Sequence, residues 1–454
     1  MLPPNPFTVQ AIIDTLKLSP RYGCITHIIP GEADPFCAEM ARSTPGAVIF
    51  TGDSDLLVYS IEDSSVVFLD DIRLPGCNLP PSCFKFSPSS LEARLGLHDT
   101  NFTNGVRRLA FELTKTPHAS LLQLLSACKH PAEEGGYGKF DRGYDAQQSI
   151  ASLPLESPAS RLLDARLLEL ALQLDSCISP PSSDFYPPFT DIWRIFLPNL
   201  IEHYGRSSSF DTSTEVRRIA YSLLAPAPQG KVQVVQEFKR LYVPDGGGTS
   251  VPLCLFSELP NITRELAACL LRITSQTGEN NDYFWPTIAL VLDALHSKLK
   301  GKAPAIFSLA DVPTGVSDMG QLIPWDIVHF RAQVHACCYS FRILGQALSL
   351  ARMRVPAGPL DVICGLMEPY LSRVPPLAEL PTTEHILAFL NPSSCDPPIT
   401  SVLRVLEEQG FVQRPPPSTA ERPRIASQDK RRDTKSVRGF NSRNSFGVLL
   451  DVED

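Results

Sequence analysis

Over the N-terminal part of the chain the spacing of apolar residues alternates between two periods. Val9, Ile12, Ile13 and Leu16 recur at i, i+3, i+4 and i+7, which predicts an amphipathic helix. Cys24 to Ile29 is a short apolar run that predicts a strand, broken by Pro30-Gly31. Ala33, Phe36/Cys37 and Met40/Ala41 return to helical spacing. Ala47-Val48-Ile49-Phe50 is a second apolar strand, ended by Thr51-Gly52, and Val66 to Leu69 a third. Strand, helix and strand at this spacing predict a βαβ unit, hence parallel strands.

After Ser87 the pattern becomes helical, with Pro/Ser/Gly connections. Leu162 to Leu174 is Leu-rich. Ile288, Val291, Leu292, Leu295 and Leu299 form a long apolar stripe. Trp325 to Met353 reads as one long helix halted near Pro356. Val232–Val243 and Val251–Phe256 flank Asp245-Gly246-Gly247-Gly248 and give a hairpin signal. The expected organisation is an α/β core over 1–86, an all-α region over 87–411, and a basic, disordered tail over 412–454 that ends in a short apolar island, Asn444 to Leu450.

The 454 residues carry a net charge of −8, which does not advertise nucleic-acid binding by the whole chain. Val412 to Arg443, however, holds nine Lys/Arg against three Asp/Glu, a basic tail on an acidic body. The 12 Cys are scattered, with no C-x-x-C and no zinc spacing, so the thiols are expected to be reduced and intracellular. Cys337-Cys338 is expected to fill helix core. The N-terminus lacks the features of a signal peptide, and no run reaches membrane-spanning length. Gly135–Gly138 and Gly246–Gly248 precede no Lys-Ser/Thr, which excludes a phosphate loop, and no G-x-S-x-G elbow occurs. His329 and His335 stand six apart, which is not ligand spacing.

Two tight acidic pairs, Glu32/Asp34 and Asp53/Asp55, bracket the predicted helix and second strand. Each pair alone suits capping. Glu32 and Asp34 fit the first turn of a helix, and Asp53 fits the N-cap of a helix through Leu56, Leu57 and Tyr59. Parallel topology would bring both pairs to the carboxyl edge of the sheet, where α/β ligands bind. Four carboxylates gathered there would repel each other unless a hard cation such as Mg²⁺ or Mn²⁺ neutralised them.

Pro30-Gly31-Glu32-Ala33-Asp34 and Asp53-Ser54-Asp55-Leu56-Leu57-Val58-Tyr59 resemble the internal region of the flap endonuclease/XPG nucleases, members of the PIN-like superfamily. Cys37-Ala38 fits the same pattern. Val66-Val67-Phe68-Leu69, the opening Pro3-Pro4-Asn5-Pro6-Phe7, Leu109 to Leu113 and the terminal Asn-x-Phe-x-x-Leu-Leu are similar to the asteroid-type branch. The resemblance implies a PIN-like fold and a Mg²⁺- or Mn²⁺-dependent phosphodiesterase acting on DNA or RNA, often branched or single-stranded. It makes Glu32, Asp34, Asp53 and Asp55 metal ligands and implies no protein nucleophile. The family also draws an Asp from an earlier strand, and this sequence opens on a helix instead. The first strand, the substrate-threading arch and the glycine-rich duplex-gripping turn are therefore expected to be missing. A second reading follows: a pseudonuclease that keeps the acidic edge and engages a nucleic acid, or a protein partner through its helical region.

Arg107-Arg108 and Lys239-Arg240 are candidate phosphate contacts, weighed against solvated surface. Lys430-Arg431-Arg432, with Lys435 and Arg438, reads as a nuclear import signal, a non-specific nucleic-acid contact or a solvated tail.

Overall fold

A computed structural model describes residues 6–28, 33–73, 82–97, 105–129, 136–144, 163–176, 192–225, 233–239, 248–277, 281–310, 323–354, 358–390 and 398–412. The chain divides into two compact units, one of Met1–Pro30 with Leu155–Arg422 and one of Gly31–Pro154 with Pro423–Asp454. Glu32, Arg240, Lys430, Arg431 and Arg432, and the apolar end of the tail, lie outside the described residues.

In the smaller unit, helix α2 (Asp34–Ser43) leads into strand β1 (Val48–Thr51). β1 pairs in parallel with β2 (Ser65–Phe68), from Val48 opposite Ser65 to Thr51 opposite Phe68. The connection is long enough for a parallel crossover and turns through a 3₁₀ segment at Asp55–Leu57. Ala38, Ala41, Leu56, Leu57, Tyr59, Ile61, Val66, Phe68 and Val106 form its core. Buried Ser64 ties the start of β2 to α2 by donating to the Ala41 carbonyl at 2.9 Å. Helix α3 (Pro88–Leu95) is capped by Ser87, whose Oγ accepts from the Ser90 amide. Helices α4 (Gly105–Lys115), α5 (Leu121–Lys129) and α6 (Tyr137–Gly143) follow among the described residues. Gly105 must stay small, because a Cβ there would stand 2.6 Å from Leu97 Cβ.

The first predicted strand does not form. Gly23–Ile25 is a 3₁₀ turn, and Thr26 to Ile28 carries no sheet pairing. The reason is local. The Gly23 amide donates to the Ser19 carbonyl at 2.8 Å, folding the chain back on the preceding helix where only glycine fits: an added Cβ would lie 2.4 Å from Lys17 O. Among the described residues the smaller unit's sheet has two strands, with its helix before them rather than between two strands.

The larger unit is built around α12 (Trp325–Arg354), a thirty-residue helix buried through most of its length. Around it pack α8 (Thr214–Leu224), α10 (Asn281–Lys300), α13 (Pro359–Leu371) and α14 (Thr383–Leu390). Cys337 and Cys338 are fully buried on α12, as core filling requires. Further helices are α7 (Ala165–Ser176), α9 (Leu259–Thr277), α11 (Ala305–Ala310) and α15 (Pro398–Glu408). This region is not all-α. β4 (Val234–Phe238) and β5 (Thr249–Pro252) make the anticipated antiparallel pair, and β3 (Ile192–Phe196) adds a strand parallel to β4. Among the described residues no helix is long and apolar enough to cross a membrane.

Helix α1 (Thr8–Leu18) joins this larger unit, not the α/β unit to which its sequence position assigned it. Phe7 stacks on Tyr339 at 5.1 Å, Asp14 pairs with Arg342 at 2.7 Å, and Lys17 Nζ donates to the Leu163 carbonyl at 2.6 Å. These contacts set which side of the helix faces inward, and they leave Val9 and Ile12 of the predicted apolar stripe exposed.

Glu237, on β4, anchors a buried polar network. Its carboxylate accepts from Arg217 Nε at 2.6 Å and Nη2 at 2.9 Å, and from the Tyr221 hydroxyl at 2.9 Å. Lys239 Nζ lies 2.9 Å from the same carboxylate and 2.7 Å from Asp211. Arg217 also donates to Ser213, Ser340 and the Phe210 carbonyl, joining α8, β4 and α12. Lys239 is thus a buried partner of two carboxylates rather than a surface phosphate contact.

His335, also on α12, is buried, and its Nε2 donates to the Pro381 carbonyl at 2.8 Å. Burial lowers its pKa to about 4, against that hydrogen bond. The unfolded chain therefore binds a proton there more readily, so His335 stabilises the fold above the ordinary imidazole pKa. That contribution is lost as pH falls from about 6.5 toward 4. Urea unfolding across this window should show stability falling with acid, and His335→Gln should flatten that limb.

Candidate metal and nucleic-acid site

Asp34 occupies the first turn of α2, where a carboxylate favours the positive end of the helix dipole. Asp53 lies just past the carboxyl end of β1. α2 is directly followed by β1 and packs against it and against the 3₁₀ segment at Asp55–Leu57. The Asp53 amide donates to Thr51 Oγ1 at 3.0 Å, and Asp53 Oδ1 accepts the Asp55 amide at 3.1 Å. The second pair therefore sits on a side-chain-closed turn. Beneath it Ser54, Leu56, Leu57, Val58 and Tyr59 are buried, so an apolar anchor holds two exposed carboxylates.

Tyr144 lies within electrostatic reach of both acidic segments. Burial, and then the charges of Asp55, Asp53 and Asp34, push its hydroxyl above the ordinary range, with Arg107 opposing. Its ring packs edge-on against Tyr59 at 5.0 Å and against Phe140 at 5.0 Å. Asp34 also raises the Cys37 thiol, second to burial. The expected first strand is absent, so the parallel pairing that would have carried Glu32 and Asp34 to the edge bearing Asp53 and Asp55 does not form.

Arg107 and Arg108, expected as phosphate contacts, are buried and serve the fold. The Arg107 guanidinium pairs with Asp141 at 2.8 Å and donates to the carbonyls of Val58 at 3.3 Å and Tyr144 at 3.4 Å. It thereby clamps α6 to the turn that carries Asp53 and Asp55. Arg108 pairs with Glu112 and lies over the rings of Tyr137 at 4.8 Å and Phe111 at 5.3 Å. α6 and Tyr144 carry one signal in the sequence, the helical spacing of Tyr137, Phe140 and Tyr144 after a glycine-rich stretch. Replacing Arg107 by Lys should weaken the clamp by about 1–3 kcal/mol, because a point charge cannot span three acceptors. Thermal unfolding and limited proteolysis near α6 would read this.

Among the described residues no three His, Cys, Asp or Glu side chains form a ready metal-binding group. The donor chemistry of this edge nevertheless suits a hard divalent cation: Asp34, Asp53 and Asp55 offer only carboxylate oxygens, the last two exposed.

A sequence profile described as XPG domain containing matches residues 4–244, more than half of the chain. The chain belongs to the XPG-domain family. No curated protein and no solved structure matches it.

Proposed function

We propose that the protein is a divalent-metal-dependent nuclease of the asteroid-type branch, with a PIN-like core, that hydrolyses phosphodiester bonds in DNA or RNA at branched or single-stranded structures. The carrying observation is the XPG-domain match over residues 4–244, within which Asp53 and Asp55 stand exposed on a turn held by the buried Leu56–Tyr59 segment. Asp34, Asp53 and Asp55, with Glu32, would hold Mg²⁺ or Mn²⁺. Such an ion supplies Lewis-acid neutralisation of the phosphodiester's charge. The buried Leu56-Leu57-Val58-Tyr59 segment fixes the direction of the Asp53/Asp55 turn, and Arg107 fixes α6 against it. Tyr144 keeps its proton at neutral pH and places a hydrogen-bond donor in the field of the carboxylates. Lys430-Arg431-Arg432 suits nuclear import, and with it a setting such as DNA repair.

The test uses the full chain with flap, bubble and single-stranded DNA and RNA. Cutting in Mg²⁺ or Mn²⁺ and intact substrate in EDTA is the expected result. Intact substrate under every condition would overturn the enzymatic reading and leave a binding protein.

A further inference from the structure

Strand β1 has one sheet neighbour among the described residues, β2. The Ser65 amide donates to the Ala47 carbonyl at 3.0 Å, so in this parallel register the backbone groups of Ala47, Ile49 and Thr51 face β2. Those of Val48 and Phe50 face the opposite way, toward a free edge. β2 shows the same alternation. Val66, which lies between the residues that face β1, exchanges both backbone bonds with Phe86 on its far side, at 2.7 and 2.8 Å. Val48 and Phe50 also carry exposed apolar side chains, Phe50 at 58 %. Val48-Ile49-Phe50-Thr51 holds no charge and no Pro, two devices that commonly keep such an edge unpaired.

The chain's own tail contains a segment of matching character. Phe446, Val448, Leu450 and Val452 are apolar at period two, the spacing of one strand face. Lys435, Arg438 and Arg443 precede the segment, and Asp451, Glu453 and Asp454 close it. Just past the carboxyl end of β1 stand the exposed carboxylates of Asp53 and Asp55. An antiparallel strand on the free edge would set Arg443 against that turn and carry Asp451, Glu453 and Asp454 to the other end. A parallel one would place acid beside acid. Size argues against a second copy of the chain. A four-residue edge with two apolar side chains falls far short of the roughly 1,200 Å² that a stable association buries. A tethered segment needs no such area. About 30 residues separate it from Val412, and a linker of this kind supplies an effective concentration on the order of 1 mM.

We propose that residues 445–452 add to the free edge of β1 as an antiparallel strand and bring Arg443 onto Asp53 and Asp55, so that the tail covers the acidic turn. The guanidinium takes the carboxylate oxygens that a divalent cation would use. Tail and metal therefore compete, and the tail regulates the site. That regulation rests on the metal reading above; the strand addition does not.

Hydrogen exchange of the full chain in EDTA tests the strand. Adjacent amides of a strand point opposite ways, so Gly447→Pro/Val448→Pro must remove one that faces β1. The variant should speed exchange at Val48 and Phe50 by roughly 10-fold, the protection that a Kd of about 0.1 mM gives at that effective concentration. Exchange within α12 should stay the same. Arg443→Glu should also speed exchange at β1, most at low salt. A peptide of residues 440–454, added at millimolar concentration to the double-proline variant, should restore protection, and a scrambled peptide should not. Equal exchange at β1 in the wild type and the double-proline variant overturns the proposal. So does protection that persists in that variant and rises with protein concentration, the mark of a second copy. Melting reads the competition. The rise in Tm with Mg²⁺ should be larger in the double-proline variant than in the wild type, and an equal rise in both overturns the regulation. No rise in either removes the metal site and the regulation together, while exchange still decides the strand.

Discussion

Asp53→Ala/Asp55→Ala is expected to reduce metal-dependent cleavage by at least about 100-fold, because outer partners of metal ligands alone are worth ~10- to 100-fold. Both side chains are exposed, and the core beneath them is supplied by Leu56, Leu57, Val58 and Tyr59. The variant should therefore fold normally, and circular dichroism and thermal melting would confirm it. Melting supplies a second, activity-free readout. Millimolar Mg²⁺ or Mn²⁺ should raise the Tm of the wild type, since an ion that binds only the folded edge stabilises it by mass action. The double variant should show no such rise. Without metal it should melt close to the wild-type temperature, since relief of like charges opposes the loss of the Asp53 Oδ1 bond to the Asp55 amide. Equal cleavage by both proteins, and equal insensitivity to metal, would dismiss the acidic edge as a metal site.

Glu237→Gln should destabilise the larger unit by about 3–5 kcal/mol, the usual cost of breaking a buried ion pair from one side. The amide keeps the shape but leaves Arg217, which has no exposed side-chain surface, without its counter-charge. For a unit of this size the drop corresponds to roughly 6–20 °C in Tm. Arg217→Met/Glu237→Leu should recover much of the loss, because an apolar pair needs no compensation for desolvated charge. The pH dependence follows from the same contacts. Burial alone would raise the Glu237 pKa; Arg217 and then Lys239 outweigh it and hold the carboxyl at about 2. A carboxyl depressed on folding stabilises at pH values above its unfolded pKa. That stabilisation is lost as pH falls from about 4.5 to about 2. Denaturant unfolding across this range should show the acid limb in the wild type and not in Glu237→Gln. It lies below the His335 limb, so the two titrations are separable.

Much of the architecture was legible because it depends on local periodicity. The stripes at Ile288 to Leu299 and Trp325 to Met353 became α10 and α12, and the apolar runs at Ala47 and Val66 became a parallel pair. Periodicity failed where a neighbour decided the outcome. Cys24 to Ile29 has strand-like composition but no strand beside it, and the Gly23 turn folds it onto α1. β3 was missed because its partner β4 lies beyond α8 in the chain. Arg107, Arg108 and Lys239 looked like surface cations because charge is usually solvated; each is buried and paired, Arg108 with Glu112 one turn along its own helix, and Arg107 and Lys239 with Asp141 and Asp211, which only the fold brings near.

The sequence by itself determined the acidic residues, their spacing and the apolar anchor behind Asp53/Asp55, since these are properties of contiguous segments. Only the tertiary structure decided that the charges of Asp34, Asp53 and Asp55 all bear on Tyr144, and that Arg107 is a clamp on α6. Those outcomes depend on contacts between residues far apart in the chain, whose energies come from burial and charge pairing that no local pattern encodes.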